Sequence, residues 1–204
     1  MKQWIGAIAV WALAGAANAG ELAAQPAPSA CFPARIGDLE AFSFSKADHD
    51  ALRRDSLGKI FGYNAHPYRT ALTVYLLDKS RSASVENEFR GAEAQIVAVH
   101  PGAETVMRNH AQIVLADQPA PGRLGLYQWT AGDHDVGSIL WVGESPSRIV
   151  KIRLSYAKPR QEGQATAATQ YAFDALGAAA KHICEPEQPE EADAPKNPPP
   201  PKAS

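Results

Sequence analysis

The stretch Arg69–Asp78 (RTALTVYLLD) restricts the fold more than any other in this chain. In an extended backbone Leu72, Val74 and Leu76 point to one side. Ala71, Thr73, Tyr75 and Leu77 point to the other. A strand that is apolar on both sides belongs in the middle of a sheet covered on both faces.

The elements around it follow from changes of hydrophobic period. Leu57–Asn64 reads as a strand. Ser82 or Ser84 caps a helix whose first turn carries Glu86 and Glu88 beside its positive end. The stripe of that helix is Val85, Phe89, Ala92, Ile96 and Val99, and His100-Pro101-Gly102 ends it. Glu104–Asp117 is extended, and Pro119-Ala120-Pro121-Gly122 is expected to turn the chain. Strands then follow at Leu124–Thr130, Ser138–Val142 and Ile149–Tyr156, joined by loops at Ala131–Gly137 and Glu144–Ser147 as an antiparallel meander. A last helix runs from about Gln164 to Ile183, with the stripe Thr169, Phe173, Leu176, Ala180 and Ile183. This order predicts an α+β fold: an antiparallel β-sheet with packed helices, one after the second or third strand and one at the C-terminus.

The organisation is read from the ends inward. Residues 1–19 have the form of a signal peptide: Lys2, the apolar run Trp4–Leu13, and the small-x-small site Ala17-Asn18-Ala19. The apolar run is too short to span a bilayer, and no later segment approaches a membrane span, so the chain is expected to be exported and not membrane-inserted. Residues 20–30 are an Ala/Pro-rich linker. Residues 185–204 form a Pro/Glu-rich tail without a hydrophobe larger than alanine, expected to be disordered. The single α+β domain is then 31–184. Its only cysteines, Cys31 and Cys184, stand at its two ends. In an oxidising compartment, periplasmic or secreted, they are expected to form a disulfide. A net charge of −2 argues against a nucleic-acid partner.

The element order, and the block Thr73-Val74-Tyr75-Leu76-Leu77-Asp78 followed by the Phe89–Ile96 helix, resemble the PsbP-like α/β fold, whose founding members are accessory proteins of photosystem II. The same block is similar to uncharacterised exported bacterial proteins of no assigned activity. The resemblance implies a non-enzymatic accessory or binding role and transfers no functional residue.

Candidate sites depend on strand register. Counting outward from a 131–137 loop places Trp129 near Trp141, on one face with Tyr127 and Ile139. A four-residue turn at Glu144–Ser147 pairs Gly143 with Arg148 and brings Val150, Ile152, Leu154 and Tyr156 to that face. The tryptophans are then core under the C-terminal helix, and not an exposed stacking platform. The opposite face would carry Gln128, Thr130, Lys151 and Arg153 among Leu140 and Val142, where Gln128, Lys151 and Arg153 are candidates for a polar or anion-binding site. Asp133-His134-Asp135 is the densest polar cluster and an outside candidate for a metal, although a hairpin loop uses Asp equally well as a turn former. Ser138 near His134 and Asp135 lacks a nucleophile elbow, and phosphate and dinucleotide fingerprints are absent.

These features predict a non-catalytic exported accessory or binding protein that contacts an envelope protein or cell-wall component and needs no cofactor. The alternatives are a periplasmic small-ligand carrier and a hydrolase or metal-dependent enzyme centred on the 132–137 loop.

Overall fold

The computed structural model describes residues 31–44, 59–79 and 84–184. The expected signal peptide, linker and tail lie outside the described residues. Eight strands form one sheet: β1 (Arg35–Ile36), β2 (Leu39–Phe42), β3 (Lys59–Ala65), β4 (Thr70–Asp78), β5 (Glu104–Leu115), β6 (Gln118–Ala131), β7 (His134–Glu144) and β8 (Arg148–Lys158). Their spatial order is β1-β2-β3-β4-β8-β7-β6-β5, and every neighbouring pair is antiparallel. Helix α1 (Val85–Val99) links β4 to β5, and α2 (Glu162–Lys181) follows β8. The α+β class is as expected. Four strands precede α1 where the sequence suggests two or three, because β1 and β2 are too short to show a period. No described helix is long and apolar enough to cross a membrane.

The topology explains why both faces of β4 are apolar. β4 and β5 lie four antiparallel steps apart, so they run parallel and need a crossover connection. Helix α1 is that crossover. Its buried Phe89, Ala92 and Ile96 pack on Leu77, Tyr127, Trp129, Leu140, Val142 and Ile149. Ser84 caps it, accepting a bond from the Asn87 backbone N–H at 3.1 Å. The opposite face holds Leu72, Val74, Leu76, Ile139, Trp141, Val150, Ile152, Leu154 and Tyr156 beneath the alanine-rich stripe of α2. Small residues in that stripe (Ala168, Ala172, Ala175, Ala179) let the helix backbone approach the sheet closely.

The β6–β7 register corrects the sequence reading. The loop is only Gly132-Asp133, with Gly132 at φ 63°, and Ala131 pairs with His134. Trp129 therefore lies opposite Val136, and Trp141 opposite Leu124. This register differs from the expected one by an odd number of residues, so the two tryptophans stand on opposite faces. Both are core (Trp129 9 % exposed, Trp141 0 %), but only Trp141 belongs to the α2 side. At the next turn Gly143 pairs with Val150, not Arg148. That shift is even, so Val150, Ile152, Leu154 and Tyr156 share the face of Trp141 as expected.

The prolines of Pro119-Ala120-Pro121-Gly122 do not turn the chain; they lie inside β6. The turn is Ala116-Asp117, and Leu115 pairs with Gln118. In a two-residue hairpin the closing pair is hydrogen-bonded, so residues 119 and 121 fall on alternate positions whose N–H would point away from β5. On that side β7 pairs only from Gly122 onward, so the missing N–H groups remove no ladder bond. The tip packs on the end of α2: the Ala116 N–H donates to the Ala180 carbonyl at 3.3 Å. Gly122 and Gly143 face each other across β6 and β7, and the Trp141 indole occupies the space a Cβ would need at either. Through that slot Trp141 Nε1 donates to the Ala111 carbonyl of β5 at 3.3 Å.

Cys31 and Cys184 are bridged, with Cα atoms 5.1 Å apart. The bridge ties the end of α2 to the segment entering β1, where Phe32 stacks on Phe61 at 3.5 Å between centroids. Closing a loop of 153 residues contributes about 5 kcal/mol in the chain-entropy model, which is its upper figure. The β5–β6 tip and the β1 entrance lie at opposite ends of the strand order, yet both attach within residues 180–184. At about 4.8 Å per strand step a flat sheet could not achieve this, so the sheet curls around α2.

Ala116 and Asp117 have φ of 44° and 63°, a conformation unfavourable for alanine. Replacing them by Asn-Gly (Ala116→Asn with Asp117→Gly) is expected to stabilise the protein by about 1 kcal/mol, raising Tm by about 3 °C in a thermal melt. An unchanged or lowered Tm contradicts the turn geometry.

Candidate functional site

The α1 face of the sheet is divided into two zones by charge. Over β5 and β6, the acids of α1 neutralise the sheet's arginines. Glu93 accepts from Arg108 Nε at 2.6 Å and from the Tyr127 hydroxyl at 3.0 Å. Glu86 lies 3.4 Å from Arg123 Nε and 2.8 Å from Arg90 Nε. Arg123 also reaches His110 Nε2 at 2.7 Å and lies over the Phe89 ring.

Over β4 and β8 the pattern differs. Register places Lys151 between Tyr75 and Val142, and Arg153 between Thr73 and Leu140, all on the α1 side. The Lys151 ammonium sits 4.4 Å from the centre of the Tyr75 ring, a cation–π contact. His100, the residue that ends α1, stacks on Trp129 at 4.1 Å between ring centres. Lys151, Arg153, Tyr75 and His100 are all partly buried. Among the described residues no carboxylate forms an ion pair with Arg153, whereas Arg35, Arg90, Arg108, Arg123 and Arg160 each have one.

Electrostatics follows this geometry. Burial lowers the pKa of Arg153, with the Tyr75 and Tyr127 phenols acting in the opposite direction. Burial also raises the pKa of Tyr75 and of Tyr127, so both phenols are neutral at pH 7 and neither supplies a counter-charge. His100 is held below its ordinary value, first by burial and then by the Arg153 charge. The negative end of the α1 dipole lies at His100, but a helix terminus offsets only about 0.3–1 kcal/mol of a cation's energy. Withdrawing a guanidinium from water without a carboxylate costs several times that.

The candidates named from sequence are thus only partly brought together. Lys151 and Arg153 share one face. Gln128 does not join them: the odd register shift puts it on the α2 side, where Lys158 Nζ donates to its Oε1 at 2.8 Å and its Nε2 donates to Glu104 at 3.3 Å. Thr130 goes with it and donates to Asp135 Oδ1 at 2.9 Å. Asp133, His134 and Asp135 do not converge on a point. His134 Nδ1 is 3.0 Å from Asp133 Oδ1, which holds that carboxylate below its usual range, while Asp135 faces Arg160 at 3.6 Å. No group of three such residues suited to a metal occurs among the described residues. Ser138 is fully buried; its hydroxyl donates to the Leu154 carbonyl at 3.1 Å and accepts from Ser155. Sequence reasoning missed Tyr75 and His100. Tyr75 could have been found from its two-residue spacing to Thr73, once β4 and β8 are paired. His100 gives no local signal, since only the packing of α1 brings it to Trp129.

Because the folded His100 pKa lies below that of the unfolded chain, the unfolded state binds the proton more readily, and stability falls as pH drops from about 7. An NMR titration of the imidazole is expected to give a midpoint below 6.5, and Arg153→Met should raise it. A midpoint at or above the ordinary value, or one insensitive to Arg153→Met, contradicts this arrangement.

No family model matches the chain. No curated protein matches it either. Among solved structures fourteen chains match. One is PA94 from Pseudomonas aeruginosa, a protein of unknown function, with 14 % identity and a TM-score of 0.42 over 74 % of this chain and all of that one.

Proposed function

We propose that this is a non-catalytic accessory or binding protein of the bacterial envelope, exported by its leader and held in shape by an oxidised cysteine pair. The observation that carries the reading is the Cys31–Cys184 bridge, a bond that an oxidising compartment maintains and a reducing cytosol does not. Residues 1–19 supply the matching address. The groups that would serve a catalyst are engaged in holding the fold: the Ser138 hydroxyl on a strand carbonyl, His134 on its neighbour, Asp135 on Arg160 and Thr130. The element order that resembles the PsbP-like fold supports the same accessory role. A carrier of small ligands is the second reading, favoured by the cationic strip on β8.

Fractionation of cells expressing the full-length protein tests the proposal. The chain should appear in the periplasm or medium, begin at Gly20, migrate faster without reductant and show no free thiol, and in-cell crosslinking should join it to an envelope component. Cytosolic protein with an uncut leader and two free thiols overturns the reading.

A further inference from the structure

We infer that the outer edge of β5 is an interaction surface for a second copy of this chain, which pairs there antiparallel to form a two-fold dimer with one continuous sheet.

The two ends of the sheet are unequal. β1 has two residues, whereas β5 runs for twelve, and no described strand pairs with its outer side. The hairpin closed by Leu115 and Gln118 directs the main-chain groups of Asn109, Ala111 and Ile113 toward β6. The N–H and C=O groups of Arg108, His110, Gln112 and Val114 therefore point outward. An edge of this length is a template for another strand. The bulge between Thr105 and Met107 interrupts the ladder and limits regular pairing to residues 107–115.

Exposed apolar residues gather at the same edge. Among the described residues the exposed large hydrophobics are Val97, Val106 and Val114, at 45 %, 52 % and 45 %. Two of them lie on β5. Val97 lies one helical turn beyond Glu93, the α1 residue that accepts from Arg108 of β5.

The order of residues along β5 is self-complementary in one register. Antiparallel pairing of identical edges requires the two-fold axis to pass through a residue, so that outward groups meet outward groups. An axis at His110 would oppose the two imidazoles, and one at Asn109 would set Arg108 against His110. An axis at Ala111 pairs Met107 with Leu115, Arg108 with Val114, Asn109 with Ile113 and His110 with Gln112 of the other copy. No cation then faces a cation, and the two Arg108 side chains stand about 20 Å apart, beyond the screening length. Parallel pairing in register would instead set Arg108 against Arg108. With the axis at Ala111 the outward groups make about eight main-chain hydrogen bonds. Val114 of each copy comes to the end of the edge where Val97 and Val106 of the other lie. The same patch serves both copies, so the contact closes on itself as a dimer.

Sedimentation equilibrium of the oxidised chain, from micromolar to near-millimolar concentration, tests the inference together with substitutions at the exposed Val114. A reversible dimer is expected. Val114→Arg places a like charge opposite Arg108 of the other copy, and Val114→Glu an opposite one. The Glu variant should dimerise about tenfold or more tightly than the Arg variant at low salt, and the gap should close at high salt. Ala111→Cys reads the register directly. The two Cα atoms of a non-hydrogen-bonded pair lie about 4.5 Å apart, within reach of a disulfide. This variant should cross-link to a covalent dimer under oxidation, and Gln112→Cys should not. Circular dichroism checks that each variant is folded. A monomer at every concentration overturns the inference. So does a dimer indifferent to charge at 114 that Ala111→Cys fails to cross-link, because another surface then holds it. A different protein captured on the edge in place of a second copy also overturns it.

Discussion

The register between β6 and β7 is the constraint on which the rest depends. It is set by a two-residue loop, Gly132-Asp133, in which glycine supplies the positive φ that the first position of a type II′ hairpin requires. Because side chains alternate strictly, this one choice assigns every residue of both strands to a face. It sends Leu124, Leu126, Ile139 and Trp141 toward α2, and Tyr127, Trp129, Leu140 and Val142 toward α1. The result is two hydrophobic layers sharing one sheet, each closed by its own helix. Burial of the eight side chains in these layers contributes on the order of 10–20 kcal/mol before the entropy cost of ordering them.

The other devices hold this double-sided sheet in its curled shape. Paired glycines at 122 and 143 make room for the Trp141 indole, whose N–H ties β7 to β5 across the intervening strand. The overhanging β5–β6 tip reaches the end of α2, and the disulfide fixes the same helix end to the opposite side of the sheet. Charge is then distributed on top of this frame. Acids on α1 pair with the arginines of β5 and β6. Lys151 and Arg153 of β8 lie on the same face, between β4 and β7.

Much of this was legible in the chain itself. Two-sided apolarity of Arg69–Asp78 marked an interior strand, the Phe89–Ala92–Ile96 stripe behind Ser84 marked α1, and even-numbered residues from Val150 to Tyr156 went to the expected face. Two features misled for a definite physical reason. Prolines usually signal turns, but an N–H that would face no partner strand can be absent at no cost, so Pro119 and Pro121 sit within β6 while the unremarkable Ala116-Asp117 turns the chain. The polar run Gly132–Gly137 looked like a long loop, although its residues from His134 onward are strand. That lengthened the apparent loop, changed parity, and carried Gln128 and Trp129 to the wrong faces. The Cys31–Cys184 pairing needed no register at all, since the chain has only two cysteines. His100 was illegible because its role comes from tertiary packing alone.

Cross-strand Hα–Hα Overhauser effects in the β6–β7 hairpin test the central claim most directly, since such contacts are short only at non-hydrogen-bonded pairs of an antiparallel ladder. The two-residue loop predicts them between Thr130 and Asp135, Gln128 and Gly137, Leu126 and Ile139, and Leu124 and Trp141. Contacts that instead join Trp129 to Ile139 or Tyr127 to Trp141 would place both tryptophans on one face and contradict the two-layer architecture.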